Sequence, residues 1–296
     1  MRILISGASG LIGGNCLQHF VEQGHETTGT HLSHPTPGTV YFNTLTPCDN
    51  NEFDIRRFAP DIILHCGALT NVDYCEKHVS DSHEMTVTST RNLLRFAHET
   101  RAIFVYISTD YIFDGRDGPY SEEARPNPLN VYGRHKLDAE RLILSTTSRH
   151  LIIRVTNVYG REVRNKNFVS RIIEQAKSGQ PVTLKLPCDQ YATPVNAWDV
   201  ARAIRLLLND NHFGIFHVAG ADWVSRQDVA TSILKYFPDA SHQIEAVSTR
   251  ALGQPADRPL KGGLLANKFT SIFRDFHFGT IDTFVQSVIL RPQITA

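Results

Sequence analysis

Four short strand-like runs, three of them apolar, each followed by a loop and then a helix-forming segment, restrict this chain more than any other feature. Arg2-Ile3-Leu4-Ile5-Ser6 reads as a buried strand, and a helical segment at 15–21 follows it. A second strand at 26–29 ends at Thr30-His31, with a loop at 34–38 and a short helix at 52–58 that Pro60 closes. Asp61-Ile62-Ile63-Leu64-His65-Cys66 is the third run, backed by a helix at 83–99, and Val105-Tyr106-Ile107-Ser108 opens the fourth. Runs that are apolar throughout, rather than alternating, suit strands covered on both faces. Strand and helix in regular alternation predict an α/β fold: a Rossmann-type, doubly wound parallel sheet with right-handed crossovers.

Composition narrows the function classes. The chain has 296 residues, 41% apolar and 20% charged, as a globular protein does. Thirty basic and thirty acidic side chains give a formal charge of zero, which argues against nucleic acid or an anionic membrane as partner. Five cysteines, odd in number and with no CxxC pair, fit a reducing compartment, and no apolar stretch approaches the ~18 residues of a membrane span. The expected location is therefore cytoplasmic. His31 and His34 lack Cys or carboxylate partners at ligand spacing, so no metal is expected.

The loops carry the chemistry. Gly7, Gly10 and Gly13 lie between a strand and a helix, where backbone N–H groups and the positive helix end receive a pyrophosphate. Folds that prefer NAD place an acid about 20 residues farther on, at the end of the second strand. Thr30-His31 stand there instead, so NADP(H) is favoured, with NAD(H) as the alternative. Gly67-Ala68-Leu69 follows the third strand with small residues that let a flat ring or ribose pass, although a plain turn reads equally well. Ser108 and Thr109 end the fourth strand, and a helix begins near Tyr132-Gly133-Arg134-His135-Lys136, which puts Tyr132 and Lys136 on one face. Lowering a phenol pKa from ~10 by ~3 units takes about 4 kcal/mol. An ammonium ~4 Å away supplies roughly that much at an effective dielectric of ~20.

With these motifs in this order, the chain resembles the extended short-chain dehydrogenase/reductases, and among them dTDP-4-dehydrorhamnose reductase and its relatives. Gly7 to Gly13, Ala68 to Glu76, Ser108 to Gly115 and Pro128 to Lys136 carry the resemblance. So do Arg154 with Val158-Tyr159-Gly160, Asn167-Phe168, Asp189-Gln190 with Thr193-Pro194, Asp199-Val200-Ala201 and Arg258-Pro259-Leu260. The resemblance implies an NAD(P)H-dependent reductase of a 4-keto-6-deoxy nucleotide sugar, as in dTDP-rhamnose biosynthesis. It makes Tyr132 the general acid, Thr109 the catalytic hydroxyl, and Lys136 the residue that grips the nicotinamide ribose and lowers the phenol pKa. It assigns Leu11, Ile12, Thr44, Leu45 and Gly67 to Leu69 to the cofactor, and Thr109, Asp110, Asn157 and Arg258 to the substrate. Arg258 and Lys261 are candidates for gripping a substrate phosphate.

The resemblance also implies a smaller C-terminal α/β substrate domain assembled from separate segments. Residues 1–160 plus about 190–220 would bind the dinucleotide, and about 161–189 plus 221–296 the substrate. It allows a homodimer. Past Gly160, Asp199 to Leu208 reads as an amphipathic helix, 214–218 as a strand returning to the sheet, and Ser225-x-x-Asp228 as a capping box. Departures from the family pattern fall at Thr86, often Asn; at Thr44, often an acid; at His135, often Ser; and at Asn157, where the rhamnose enzymes tend to carry Trp. Two alternatives stay open: a reductase of another carbonyl compound, and a non-catalytic cofactor-binding regulatory subunit like the beta subunit of methionine adenosyltransferase.

Overall fold

The computed structural model describes residues 1–49 and 51–290, so the last six positions of the expected substrate domain lie outside it. Its main sheet is built from β1 (Arg2–Ser6), β2 (Glu26–His31), β3 (Thr39–Tyr41), β4 (Ile62–His65), β5 (Ile103–Thr109), β6 (His150–Val155) and, after β7 (Val182–Pro187) and β8 (Tyr191–Ala192), β9 (Gly214–His217). These seven strands lie in the order β3-β2-β1-β4-β5-β6-β9, with every pairing parallel. The chain starts in the middle, runs outward to β3, and returns to β4 on the other side of β1. Strand order thus reverses between β1 and β4, and the crevice at the carboxyl ends there is where such sheets bind ligands.

Burial explains the apolar runs. Ile3, Ile5, Ile62, Leu64, Val105, Leu151 and Ile153 enter one core beneath the helices Leu11–Glu22 and Ala197–Asn209. Leu4, Ile63, Phe104, Tyr106 and Ile152 enter the other, beneath Ser89–Thr100 and Val131–Thr146. A third core joins the helices Phe168–Lys177, Arg226–Leu234 and Ile281–Leu290 to a two-stranded parallel sheet of β7 and β11 (His242–Val247). Between these last two strands in sequence lies β10 (Val224–Ser225), which pairs antiparallel with β8. The expected return strand is β9, hydrogen-bonded beside β6. Ser225 and Asp228 close the expected capping box, the backbone N–H of each donating to the other's side chain.

Two expected helices are adjusted, and one strand is new. The helix expected at 52–58 spans only Ile55–Phe58, because the Asp54 carboxylate accepts from the N–H groups of Arg56 and Arg57 and starts it there. The helix expected at 83–99 begins earlier, as Val79–His83, and passes through a π-helical turn, Glu84–Thr88, into Ser89–Thr100. At that turn the Thr90 hydroxyl donates to the Thr86 carbonyl at 2.6 Å, occupying an oxygen of the helix ladder. The short strand β3 has no counterpart among the expected elements.

One buried ion pair locks β6 to a crossover helix. Arg154 donates from Nε and Nη2 to the two carboxylate oxygens of Glu140, at 3.0 and 2.7 Å, and its Nη1 lies 3.3 Å from His217 Nε2 on β9. Both charged side chains are almost fully buried, so removing one strands the other in a low-dielectric interior. Glu140→Ala is expected to cost about 3–5 kcal/mol of stability. Urea unfolding checks this, and a loss below about 1 kcal/mol contradicts it.

Burial, aided by the neighbouring cations, holds two histidines neutral: the pKa of His65, near Lys136, and of His217, near Arg154, are each lowered to about 3. An unfolded histidine titrates near ~6.5, so between pH 3 and 6.5 the unfolded chain binds more protons than the folded one. Their contribution is fully present above pH ~6.5 and is lost as pH falls toward 3, by up to about 1.4 kcal/mol per pH unit for each. His217→Gln should therefore flatten the fall of the urea midpoint between about pH 6.5 and 5. Parallel pH profiles for variant and parent would count against this reading.

Candidate active site

The crevice at the β1/β4 reversal opens into a cavity of about 790 Å³. Its floor is the glycine turn. Gly7 adopts φ 78°, and a Cβ built on it would lie 2.7 Å from the Gly67 nitrogen, so the β1 and β4 turns touch backbone to backbone. Gly10 differs: a Cβ there would meet nothing closer than the Gly7 carbonyl at 3.4 Å, and the space it leaves belongs to the cavity. Gly10 also caps the helix Leu11–Glu22 without a side-chain hydrogen bond, and no acid stands in the first turn. The N–H groups of Leu11, Ile12 and Gly13 precede the first intrahelical bond, Gly14 to Gly10, and are left for an anion. The residues present therefore fit a dinucleotide pyrophosphate.

The opposite wall carries the polar groups. Ser108, Thr109 and Asp110, at the end of β5, line the cavity with Tyr132 and Lys136. The helix Val131–Thr146 is aimed by its caps: Asn130, fully buried, accepts from Gly133 N–H at 2.8 Å and donates to the Asp257 carbonyl at 2.7 Å, while Glu76 accepts from Val131 N–H. Gly133 is required, since a Cβ there would lie 2.2 Å from the Tyr111 carbonyl oxygen. Tyr111 and Tyr132 meet edge to face at 5.7 Å. Asp110 is buried, and its carboxylate accepts from Thr156 Oγ1 at 2.7 Å and Gly263 N–H at 3.1 Å, tying β5 to the end of β6 and to the C-terminal loop. Burial raises its pKa while those bonds oppose the shift. Ser108 Oγ is buried and has no partner among the described residues.

The electrostatics of Tyr132 and Lys136 correct the expectation of a phenol lowered by its lysine. Burial raises the Tyr132 phenol above its usual range, and the Thr109 hydroxyl is the group that pulls it down. Burial lowers Lys136 to about 7, with Glu140 acting against the shift. Its ammonium donates to the Ile107 carbonyl at 2.5 Å and lies 4.0 Å over the Tyr106 ring. Both groups are held toward their neutral forms because the pocket wall excludes water.

Not every expected residue meets here. Gly7, Gly10 to Gly13, Gly67, Ala68, Thr109, Asp110, Tyr132, Lys136 and Asn157 line the cavity. Asn157 has φ 40°, a conformation that asparagine tolerates better than bulky residues. Thr30 points inward: it is buried, and its hydroxyl lies 3.5 Å from the Ile5 carbonyl. His31 meets Thr39 Oγ1 at 2.8 Å. Thr44 is bonded to Ser89 Oγ, the Thr44 and Leu45 carbonyls receive Asn92, and Leu69 turns its carbonyl to the Cys75 thiol. Arg258, a candidate for a substrate phosphate, is spent in an ion pair with Asp73 at 2.9 Å and in a bond to the Ala256 carbonyl. Unforeseen members of the lining include Ser9, Tyr111, Thr156, Arg164, Lys166 and Arg226. Arg164 and Lys166 stand next to the Asn167-Phe168 motif, the one sequence signal near them, while Arg226 opens the helix behind the Ser225-x-x-Asp228 cap.

Comparisons with known proteins agree with this architecture. The chain is 31% identical over 265 residues to methionine adenosyltransferase 2 subunit beta of Danio rerio, covering 87% of this chain and 80% of that protein. The crystal structure of a dTDP-4-dehydrorhamnose reductase from Clostridium acetobutylicum superposes with a TM-score of 0.84 at 25% identity, over 98% of this chain and 99% of that one. That of the Bacillus anthracis dTDP-4-dehydrorhamnose reductase in complex with NADP gives 0.82 at 24%, over 98% of each chain. The family described as RmlD substrate binding domain matches residues 1–283, and this chain belongs to it.

Proposed function

We propose that the protein is an NAD(P)H-dependent reductase of a 4-keto-6-deoxy nucleotide sugar, of the dTDP-4-dehydrorhamnose reductase type. The observation that carries this reading is the meeting of Thr109, Tyr132 and Lys136 in the same cavity as the open helix end at Gly10–Gly13. Bound there, a nicotinamide dinucleotide supplies hydride to a ketone carbon. Leu11, Ile12 and Gly13 hold its pyrophosphate through backbone N–H groups, and Gly10, without a side chain, leaves room for it. Thr109 positions the ketone oxygen, and Tyr132 delivers a proton to it. Because burial keeps the phenol protonated through the neutral range, the donor is loaded before substrate arrives. Lys136 holds the nicotinamide ribose and, when charged, stabilises the phenolate left after proton transfer. We assign residues 1–160 plus about 190–220 to dinucleotide binding and 161–189 plus 221–296 to the sugar nucleotide. A preference for NADP(H) follows from the lack of any carboxylate at Thr30-His31.

A second reading has one specific support, the 31% identity to a methionine adenosyltransferase beta subunit: a cofactor-binding subunit without turnover of its own. The two readings separate on one variant and its parent. Under the reductase reading, Tyr132→Phe lowers the reduction rate by about 10²–10⁴-fold, since it deletes the proton and keeps the ring, while dinucleotide affinity stays within about twofold. A variant that turns over like its parent removes Tyr132 from the chemistry. A parent that binds the dinucleotide but reduces no 4-keto sugar nucleotide favours the subunit.

A further inference from the structure

The loop that leaves β6 is pinned at both ends and projects its charges between them. Asn15, on the first turns of the helix that starts at the glycine motif, donates to the Arg161 carbonyl at 2.9 Å and so clips the loop over that helix. At the far side, Asn167 donates to the Gly160 carbonyl and to Glu162 Oε1, and Ser170 Oγ donates to the same Gly160 carbonyl. The only carboxylate of the loop is thereby occupied. Residues Arg161 to Val163 face Thr36, Pro37 and Gly38 across a second cavity of about 750 Å³, next to the loop after β2. Arg164 and Lys166 enter the lining of the main cavity, which Ser9 and Gly10 also line. Among the described residues neither is in an ion pair. Both act on His34, on the loop after β2, disfavouring its protonated form.

Two cations outside any ion pair among the described residues therefore share the cavity with the glycine turn and act on the loop after β2, the side where a dinucleotide of this fold places its adenosine ribose. The β2 end itself offers no cation: Thr30 is turned into the sheet and His31 is held by Thr39. Resting on the dinucleotide reading above, we propose that Arg164 and Lys166, although they lie within the segment assigned to the sugar nucleotide, form the site for the adenosine 2′-phosphate, so that the loop after β6 supplies the attraction for NADP(H) that the acid-free β2 end only permits. A phosphate monoester on the ribose carries close to two charges at neutral pH and would be met by a guanidinium and an ammonium at once.

The test uses adenosine nucleotides alone and reads binding, not turnover. The full-length protein should bind 2′,5′-ADP at least about tenfold tighter than 5′-ADP by calorimetry, and the ratio should shrink as KCl rises from about 50 to 500 mM. Arg164→Ala with Lys166→Ala should bring the ratio to within about twofold of unity, with 5′-ADP itself changed by less than about threefold, while Arg164→Lys should retain most of the preference. Equal losses for both nucleotides would place the loop on the pyrophosphate and overturn the proposal. A selective loss for dTDP would place it on the substrate side and overturn it as well. Should the double variant fail to fold, a salt-insensitive ratio in the parent still counts against it. A parent that binds neither nucleotide would instead remove the cofactor reading on which it rests.

Discussion

The structure depends first on a close approach of two backbones. Gly7 and Gly67, at the ends of neighbouring strands, pack so tightly that the β1 turn has no room for a side chain at Gly7, where a Cβ would lie 2.7 Å from the Gly67 nitrogen. Gly13 completes the arrangement, since a Cβ on it would lie 2.3 Å from the Gly7 carbonyl oxygen. The helix Leu11–Glu22 is therefore drawn down onto the strand ends, and its unpaired N–H groups open on the crevice where strand order reverses. Sheet topology chooses the place, and three glycines determine how close a ligand can come.

The wall facing the glycines is set by burial. Asp110 and Lys136 are buried and Tyr132 is half-buried, and each is shifted toward its neutral form. For a proton donor this is useful, because a phenol that ionised early would have nothing to give. The cost is structural: buried polar groups need partners, and this chain provides them with Thr156 and Gly263 for Asp110 and the Ile107 carbonyl for Lys136. Ser108 Oγ, also buried, is left without one among the described residues.

Much of this was legible in the sequence because it is local. Apolar runs, a glycine spacing and a Tyr-to-Lys interval of one helical turn require no knowledge of distant residues. Expectations failed where the deciding neighbour was remote or where a strand's two faces looked alike. In Glu26-Thr27-Thr28-Gly29-Thr30-His31 nothing marks which threonine faces the sheet interior, and Thr30 proves to be buried. Arg258 looked free because its partner, Asp73, lies far back in the chain. The cations of the loop after β6 could not be told from solvated charges until Asn15 was seen to hold that loop against the glycine helix. The phenol shift was expected downward from a single neighbour, whereas the surrounding wall dominates it.

The central claim is that this crevice carries out hydride and proton delivery to a sugar ketone, and isotope transfer tests it most directly. With NADPH deuterated at nicotinamide C4 and a 4-keto-6-deoxy nucleotide sugar, the reduced sugar should carry one deuterium at C4, delivered from only one of the two C4 positions of the nicotinamide. A product without label, or no product from a protein that demonstrably binds the dinucleotide, would contradict the account.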